Sequence, residues 1–192
     1  MGLDMFLERV AVPDGLTLDD VQLIDDYIHY VRLYRGKIPF SQATGIKIDH
    51  NQTLKVASNM ADYFEKGYYC NDCGIFEEVG YWRKANHIHN WFVTHIQNNV
   101  DDCGRYAVTK DELEELLTLC EVVKKSAVLA HNFIRNEDVI AELLPTKSGF
   151  FFGSTDYDKY YMDQVDHTIE VIEHVLESTD FDTQIITYSS SW

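Results

Sequence analysis

The chain has few basic residues. Of its 192 residues only 16 are Lys or Arg, against 32 Asp or Glu, which gives a formal net charge of −16. A protein this negative repels nucleic-acid backbones and anionic membranes, so we expect it to bind neither directly. The same charge could let the surface imitate a nucleic acid and occupy a basic groove, or acidic helix faces could simply keep the protein soluble.

Long apolar runs are also missing. No stretch approaches the ~20 apolar residues needed to cross a bilayer. The opening MGLDMFLERV lacks the cationic segment and apolar segment of a secretory signal. We therefore expect a cytoplasmic protein whose four cysteines are reduced thiols and not a disulfide framework.

Familiar catalytic and metal-binding patterns are absent as well. The sequence has no G-x-S-x-G, H-E-x-x-H or Walker A pattern, so no catalytic residue is assigned. Cys70 and Cys73 have zinc spacing, but no second cysteine pair or finger-type histidine pair follows in register. His87 and His89 would point about 200° apart on a helix and could not share one ion. No metal site and no cofactor is predicted.

What the sequence does contain is the apolar content of a globular protein and a series of helix signals. With no internal repeat, residues 1–192 are predicted to form a single domain. Residues 3–12 and 181–192 are predicted strands. The predicted fold is α+β and mostly α, with about five helices around a central amphipathic helix and a small sheet formed by the N- and C-terminal strands. Predicted helices begin at Thr17, Asn51, Gly80, Thr109 and Thr155.

Three of the segments between these helices have a predicted form. Residues 37–48 are expected to be a loop with at most one short strand. The helix from Thr109 either continues to about Asn136 or restarts after Ser126, and residues 137–144 add one or two turns. Residues 144–155 hold two glycines, a proline and three consecutive phenylalanines, so we expect a buried extended segment or a tight loop against the core.

Residues 80–100 are predicted to form the central helix. Apolar residues recur there at steps of three and four, which predicts one apolar stripe. The members of that stripe are Tyr81, Ala85, Ile88, Phe92 and Ile96. The opposite side carries Arg83, His87, Asn90 and Thr94, and the flank between them carries Trp82, Asn86 and His89. This stretch contains no Asp or Glu.

Four stretches of the chain contain no carboxylate side chain, namely residues 27–48, 80–100, 122–136 and 143–155. Together they hold ten of the sixteen Lys and Arg residues. An anionic ligand needs a local positive potential inside a repelling overall field, and these stretches are where one can exist. The predicted ligand-binding residues are Trp82, Arg83, Asn86, His87, Asn90, Lys147, Ser154 and Thr155.

Each of these residue types has a chemical role in the predicted site. Arg83 offers a planar fork to phosphate or carboxylate, and Asn and His side chains add directional hydrogen bonds. Ser154 and Thr155 are predicted to open a helix whose free N–H groups seat an anion. Trp82, Trp91 or one of the phenylalanines at 150–152 could stack on a base. The alternative is that Ser154 and Thr155 are only helix caps and Arg83 only pairs with a surface carboxylate.

Four blocks of the sequence are distinctive. They are MGLDMFL, VGYWRKANHIHNWFV, LPTKSGFFFGSTDYDKYY and ITYSSSW, in this order. In these blocks the chain resembles a family of small proteins, carried mainly by tailed bacteriophages and prophages, whose activity is not established. The resemblance implies a compact intracellular domain made in an infected bacterium, and it transfers no catalytic residue. Residues from about Asp14 to Gly74 lie outside it, and we interpret them as an elaboration on the core.

Small phage accessory proteins often act on host defence or host machinery, and three hypotheses follow. The first is capture of a nucleotide-like or other anionic ligand, in counter-defence or host manipulation. The second is an acidic protein that inhibits a host nucleic-acid-binding enzyme. The third is an enzyme that acts on a phosphorylated small molecule. The expected partner is therefore a small anionic ligand or a host protein in the host cytoplasm, and no oligomeric state is predicted.

Overall fold

A computed structural model of the chain describes residues 2–65 and 74–192. Seven helices and six strands occur within these ranges, and the predicted α+β class is confirmed. In chain order they are β1 (Asp4–Ala11), α1 (Leu18–Tyr34), α2 (Phe40–Thr44), α3 (His50–Glu65), β2 (Glu77–Arg83), α4 (Asn86–His95), β3 (Tyr106–Val108), α5 (Lys110–Ser126), β4 (Leu129–Ala130), β5 (Phe133–Ile134), α6 (Glu137–Leu143), α7 (Lys159–Ser178) and β6 (Gln184–Ser191). No helix in the described part is long and apolar enough to cross a membrane.

The N- and C-terminal strands pair with each other, as the sequence predicted. The main sheet has the order β2-β1-β6-β3, so β1 and β6 are its central neighbours. Strand β3 runs antiparallel to β6, with Tyr106 opposite Tyr188 and Val108 opposite Ile186. Strands β4 and β5 form a separate two-stranded hairpin.

The described residues cluster into two compact units. One unit contains Met1–Glu8, Glu78–Phe181 and Ile185–Trp192. Its core combines alternate residues of β1 with the inward faces of α4, α5 and α7. The largest fully buried side chains of this unit are Leu3, Met5, Leu7, Trp82, Ile88, Phe92, Leu113, Leu116, Tyr161 and Tyr188.

The other unit contains Arg9–Glu77 and Asp182–Gln184. Helices α1 and α3 supply its buried apolar residues, among them Val21, Ile24 and Val56. The Tyr63 hydroxyl donates to the backbone oxygen of Ala11 at 2.7 Å, which ties α3 to the end of β1. The single domain over residues 1–192, with residues 14–74 as an elaboration, stays a prediction.

The predicted helix starts are confirmed where the sequence has a capping box. Thr17 caps α1 and Thr109 caps α5, each through reciprocal hydrogen bonds with the acidic residue three positions later. The prediction that Thr155 caps the last helix is wrong. The N-cap of α7 is Asp158, whose carboxylate accepts from the Tyr161 N–H at 3.0 Å.

The prediction of one helix over residues 80–100 is also wrong. Residues Glu77–Arg83 form β2, and only Asn86–His95 form α4. In β2 burial alternates, so Gly80 and Trp82 face the interior while Tyr81 and Arg83 face solvent. The spacing from Tyr81 to Ala85 and Ile88 matches a helix. The alternation that defines the strand is too short to outweigh this helical signal in the sequence.

Three further segments differ from expectation. Residues 37–48 contain the short helix α2 and no strand within that range, and α5 ends at Ser126, after which the chain forms the β4–β5 hairpin. The three consecutive phenylalanines do not share one environment. Phe152 is buried, Phe151 is partly buried, and Phe150 is 93% exposed. The Cys70–Cys73 pair lies outside the described residues.

The backbone of β2 approaches α7 closely at Gly80. A Cβ on Gly80 would stand 2.6 Å from Cγ1 of Val171 and 3.2 Å from Cβ of Leu7. We expect Gly80→Ala to lower the free energy of unfolding by about 1–3 kcal/mol, because the added methyl overpacks the core. Urea denaturation measures the change.

Val171→Ala provides the matched control, because it removes the methyl that the new Cβ would strike. The double variant should recover part of the stability lost in Gly80→Ala, beyond the sum of the single effects. A Gly80→Ala protein as stable as the original chain would show that β2 does not pack against α7 in this register.

Candidate functional site

The junction between β2 and α4 brings two cationic side chains together. Lys84 has a φ of 58°, in the left-handed region, and its N–H donates to the backbone oxygen of Leu3 at 2.8 Å. Successive residues of a regular strand point to opposite faces. The left-handed turn at Lys84 breaks that alternation. Lys84 Cε and Arg83 Nη2 therefore both lie within 3.5 Å of the point where a Cβ on Gly2 would stand.

The stem of Lys84 runs between two glycines. A Cβ on Gly153 would stand 3.1 Å from Cβ and 3.3 Å from Cδ of Lys84, and one on Gly2 would stand 3.1 Å from its Cε. Gly153 also has a φ of +88°, which glycine adopts without strain. A side chain at either position would occupy the space that the lysine stem fills, so both glycines position its ammonium group.

The charges at this junction do not cancel. Arg83 Nη1 lies 3.4 Å from Oδ1 of Asp4, and the Arg83 side chain remains 57% exposed. Asp4 also accepts a hydrogen bond from the Tyr81 hydroxyl. Lys84 is exposed and has no carboxylate partner among residues 2–65 and 74–192. Arg83 thus has one carboxylate partner and Lys84 has none among the described residues, which leaves a local excess of positive charge. We call these two residues, with Gly2 and Gly153, the Arg83–Lys84 surface.

Asn86 and Asn90, both predicted to bind a ligand, hold the loop of residues 145–155. Asn86 Nδ2 donates to the backbone oxygens of Phe152 at 3.1 Å and Ser154 at 2.7 Å, and its Oδ1 accepts from the Lys147 N–H at 3.1 Å. Asn90 Nδ2 donates to the backbone oxygen of Pro145 at 3.3 Å. Because Asn86 is buried and its amide is occupied, its role is to shape the loop beside Lys84.

Trp82 and His87 lie in the interior. Trp82 is 1% exposed, and its indole N–H donates to Oγ1 of Thr168 at 3.0 Å. The His87 ring lies 4.0 Å from that of Tyr161, between centroids, and its buried Nε2 has no hydrogen-bond partner in the described part of the chain. Burial lowers the pKa of His87 from the usual 6.5 to about 3. In this arrangement neither ring is open to a ligand from solvent.

The remaining predicted residues lie along the 145–155 loop. Ser154 Oγ donates to Oδ2 of Asp156 at 2.8 Å and accepts from the Asp156 N–H at 3.0 Å. Thr155 is exposed, and its backbone oxygen accepts from Thr146 Oγ1 at 3.3 Å. Lys147 Nζ lies 3.7 Å from Oδ2 of Asp101. Since α7 begins only at Lys159, the expected anion seat at a helix N-terminus over residues 153–155 does not form.

A buried relay that the sequence did not predict connects α4 to β6. His89 is 0% exposed, with Nδ1 2.7 Å from the Tyr188 hydroxyl and Nε2 3.0 Å from Oδ2 of Asp101. A neutral ring that accepts from Tyr188 and donates to Asp101 satisfies both bonds. Burial lowers the pKa of His89, opposed in part by Asp101, and burial raises the pKa of Tyr188. His89 and Tyr188 are closed to solvent, while the Asp101 side chain is 17% exposed, and the relay fixes α4 against the sheet.

Two kinds of residue were missed by sequence reasoning. Lys84 adjoins Arg83 in an acid-free stretch, and that adjacency was a usable signal. His89 and Tyr188 are 99 residues apart, so no local pattern could have joined them. No group of three His, Cys, Asp or Glu side chains suited to a metal ion occurs in the ranges that the structure describes.

Comparison of the chain with protein-family models, with curated proteins and with solved structures found no match.

The burial of His87 predicts a pH-dependent stability. Its folded pKa lies below its unfolded value, so its contribution is fully present above about pH 6.5 and is lost as the pH falls towards 3. In that window one such group adds up to about 1.4 kcal/mol per pH unit to the slope of unfolding free energy. We expect His87→Phe, which keeps a ring against Tyr161, to show a shallower slope in chemical denaturation at several pH values.

His174→Gln is the matched control, since this histidine is exposed on α7 and its removal leaves the interior intact. An equal slope in the original chain and in His87→Phe would contradict the burial of His87 as a neutral ring.

Proposed function

We propose that the chain binds a small anionic ligand, preferably a phosphate-bearing nucleotide, on the Arg83–Lys84 surface. We further propose that it serves as a phage-type accessory protein in counter-defence or host manipulation. The binding proposal rests on one observation: in a chain of net charge −16, two cations lie close together over Gly2, and only one of them, Arg83, pairs with a carboxylate in the described part of the chain. The accessory role rests on the four sequence blocks and their order.

The geometry at Arg83 favours exchange of its present partner for a ligand. An exposed ion pair contributes only about 0–1 kcal/mol, so a phosphate carrying two charges competes readily with Asp4. Arg83 can offer its planar fork while Lys84 adds a point charge. Since Lys84 has no carboxylate partner among the described residues, it can bind a ligand phosphate without first breaking an ion pair.

The adjoining loop supplies an aromatic ring for the base of a nucleotide. The backbone oxygen of Phe151 accepts from the Leu3 N–H at 3.0 Å, which holds the loop beside Gly2. Phe150, the preceding residue, is 93% exposed, with its ring centroid 4.8 Å from that of Phe151. Base–aromatic stacking contributes about 1–3 kcal/mol and tolerates any base. The proposed site therefore has a charged part and a stacking part.

The double variant Arg83→Gln with Lys84→Gly tests this proposal. Glycine suits the left-handed conformation of residue 84, so the fold is retained while the charge is lost. Hydrogen bonds to charged groups contribute about 1.5–3 kcal/mol each, so we expect binding at least about tenfold weaker. Isothermal titration calorimetry with ATP, cyclic AMP and inorganic phosphate, together with thermal shift, measures it.

Two controls separate this site from general charge. Lys110→Ala and Lys125→Ala remove exposed cations of α5 that pair with Glu114 and Glu121, and both should bind as the original chain does. Lys84→Arg keeps the charge and should retain most of the affinity. A panel without any binding, or a double variant that binds as tightly as the original, rejects the proposal. A ligand recovered chemically altered in mass spectrometry would instead support an enzyme acting on a phosphorylated molecule.

An acidic groove favours the alternative of a protein-interaction inhibitor. Four carboxylates, from Glu121, Asp166, Glu170 and Glu173, line a groove of about 330 Å³ between α5 and α7, together with Lys124 and Lys125. Lys124 pairs with Asp166 at 2.8 Å and Lys125 with Glu121 at 2.7 Å, so the groove keeps a net charge of −2. A row of carboxylates can imitate the phosphates of a nucleic acid towards a basic host protein. Salt-sensitive binding of such a protein, lost on Glu170→Gln with Glu173→Gln and unaffected at Arg83 and Lys84, would favour this alternative.

A further inference from the structure

A second groove lies within the unit Arg9–Glu77. It has a volume of about 370 Å³, which falls in the 300–1,000 Å³ range common for small-molecule sites. Its floor is aromatic, from Tyr27, Tyr30 and Phe40, and its rim carries Ser41, Lys47 and Thr53. None of these residues belongs to the Arg83–Lys84 surface.

The aromatic floor is held in place before any ligand arrives. The Phe40 ring lies 5.3 Å from both the Tyr27 and the Tyr30 ring, between centroids, and meets Tyr30 edge-on. The Tyr30 hydroxyl donates to the backbone oxygen of Ile38 at 2.6 Å, which fixes that ring. Phe40 is buried, while Tyr27 is half-buried. A preformed floor of this kind binds a planar ring without the cost of ordering it.

Three polar groups at the groove have no hydrogen-bond or ion-pair partner among the described residues. Lys47 is exposed and has no carboxylate partner in residues 2–65 and 74–192. Asp49, the nearest carboxylate in sequence, accepts from the Gln52 N–H at 2.8 Å and forms no ion pair with Lys47. The Tyr27 and Ser41 hydroxyls make no hydrogen bond to any other residue that the structure describes. The rim thus presents one positive charge and two hydroxyl groups.

We propose that this groove binds a planar aromatic molecule that carries one anionic group. The ring lies on the floor formed by Tyr27 and Phe40, and the anionic group meets the ammonium of Lys47. One lysine matches one charged group, and residues 27–48, which supply six of the seven lining residues, contain no carboxylate.

Benzoate, indole-3-acetate and 1-naphthalenesulfonate are suitable probes, with indole and acetate as partial molecules. In two-dimensional amide NMR we expect the probes to shift signals of residues 27–30 and 40–48. Each probe should bind more tightly than indole or acetate alone, because only the whole molecule engages both floor and rim. Lys47→Ala should weaken the tightest probe about tenfold, and Tyr27→Leu should weaken both that probe and indole.

Lys37→Ala is the matched control, since Lys37 is exposed in the same acid-free stretch but does not line the groove. It should leave probe affinity unchanged, as should the Arg83→Gln, Lys84→Gly variant. Three results would overturn the proposal: no probe binds at millimolar concentration, acetate binds as tightly as the whole probes, or Lys47→Ala binds like the original chain. Because Lys47 is exposed, its loss is not expected to disturb the fold.

Discussion

The burial of α4 on nearly every side is the constraint that shapes the larger unit. Of its ten residues seven are buried, and these include Asn86, His87 and His89. A buried polar group left without a partner costs about 1–3 kcal/mol. His87 Nε2 bears that cost among the described residues, whereas Asn86 and His89 receive partners from elsewhere in the chain. Asn86 finds them in the 145–155 loop, and His89 finds them in Tyr188 and Asp101. Distant segments are therefore fixed by the polar residues of one helix.

The same constraint explains the geometry at Lys84. The chain must turn from the edge strand β2 into a buried helix within two residues, and the left-handed conformation at Lys84 makes that turn. For a residue with a side chain this conformation costs roughly 1–2 kcal/mol. The bond from its N–H to Leu3 and the packing of its stem between two glycines offset that cost. The proximity of Lys84 to Arg83 is thus a consequence of how α4 enters the core.

Sequence reasoning succeeded where local chemistry decides the structure. The helix starts at Thr17 and Thr109 and the pairing of the terminal strands were all predictable. It failed over β2 and α4. A helix that is buried on most sides has no polar face, and the apolar residues of a short strand can match a helical spacing. Of the residues predicted to bind a ligand, Arg83 is exposed, whereas Trp82 and His87 are buried against Thr168 and Tyr161, which lie far along the chain.

A stretch of sequence can lack carboxylates either because its residues are buried or because its exposed surface binds an anion. Around α4 the cause is burial, since a charged group in the interior needs a partner and most positions have none to offer. Residues 27–48 are mostly exposed, so burial cannot account for the absence of acids there. Several exposed cations remain in that stretch, in a chain with twice as many acidic as basic residues. We propose that this positive stretch serves an anion, and the aromatic rings beside Lys47 are the part of it that lines a groove.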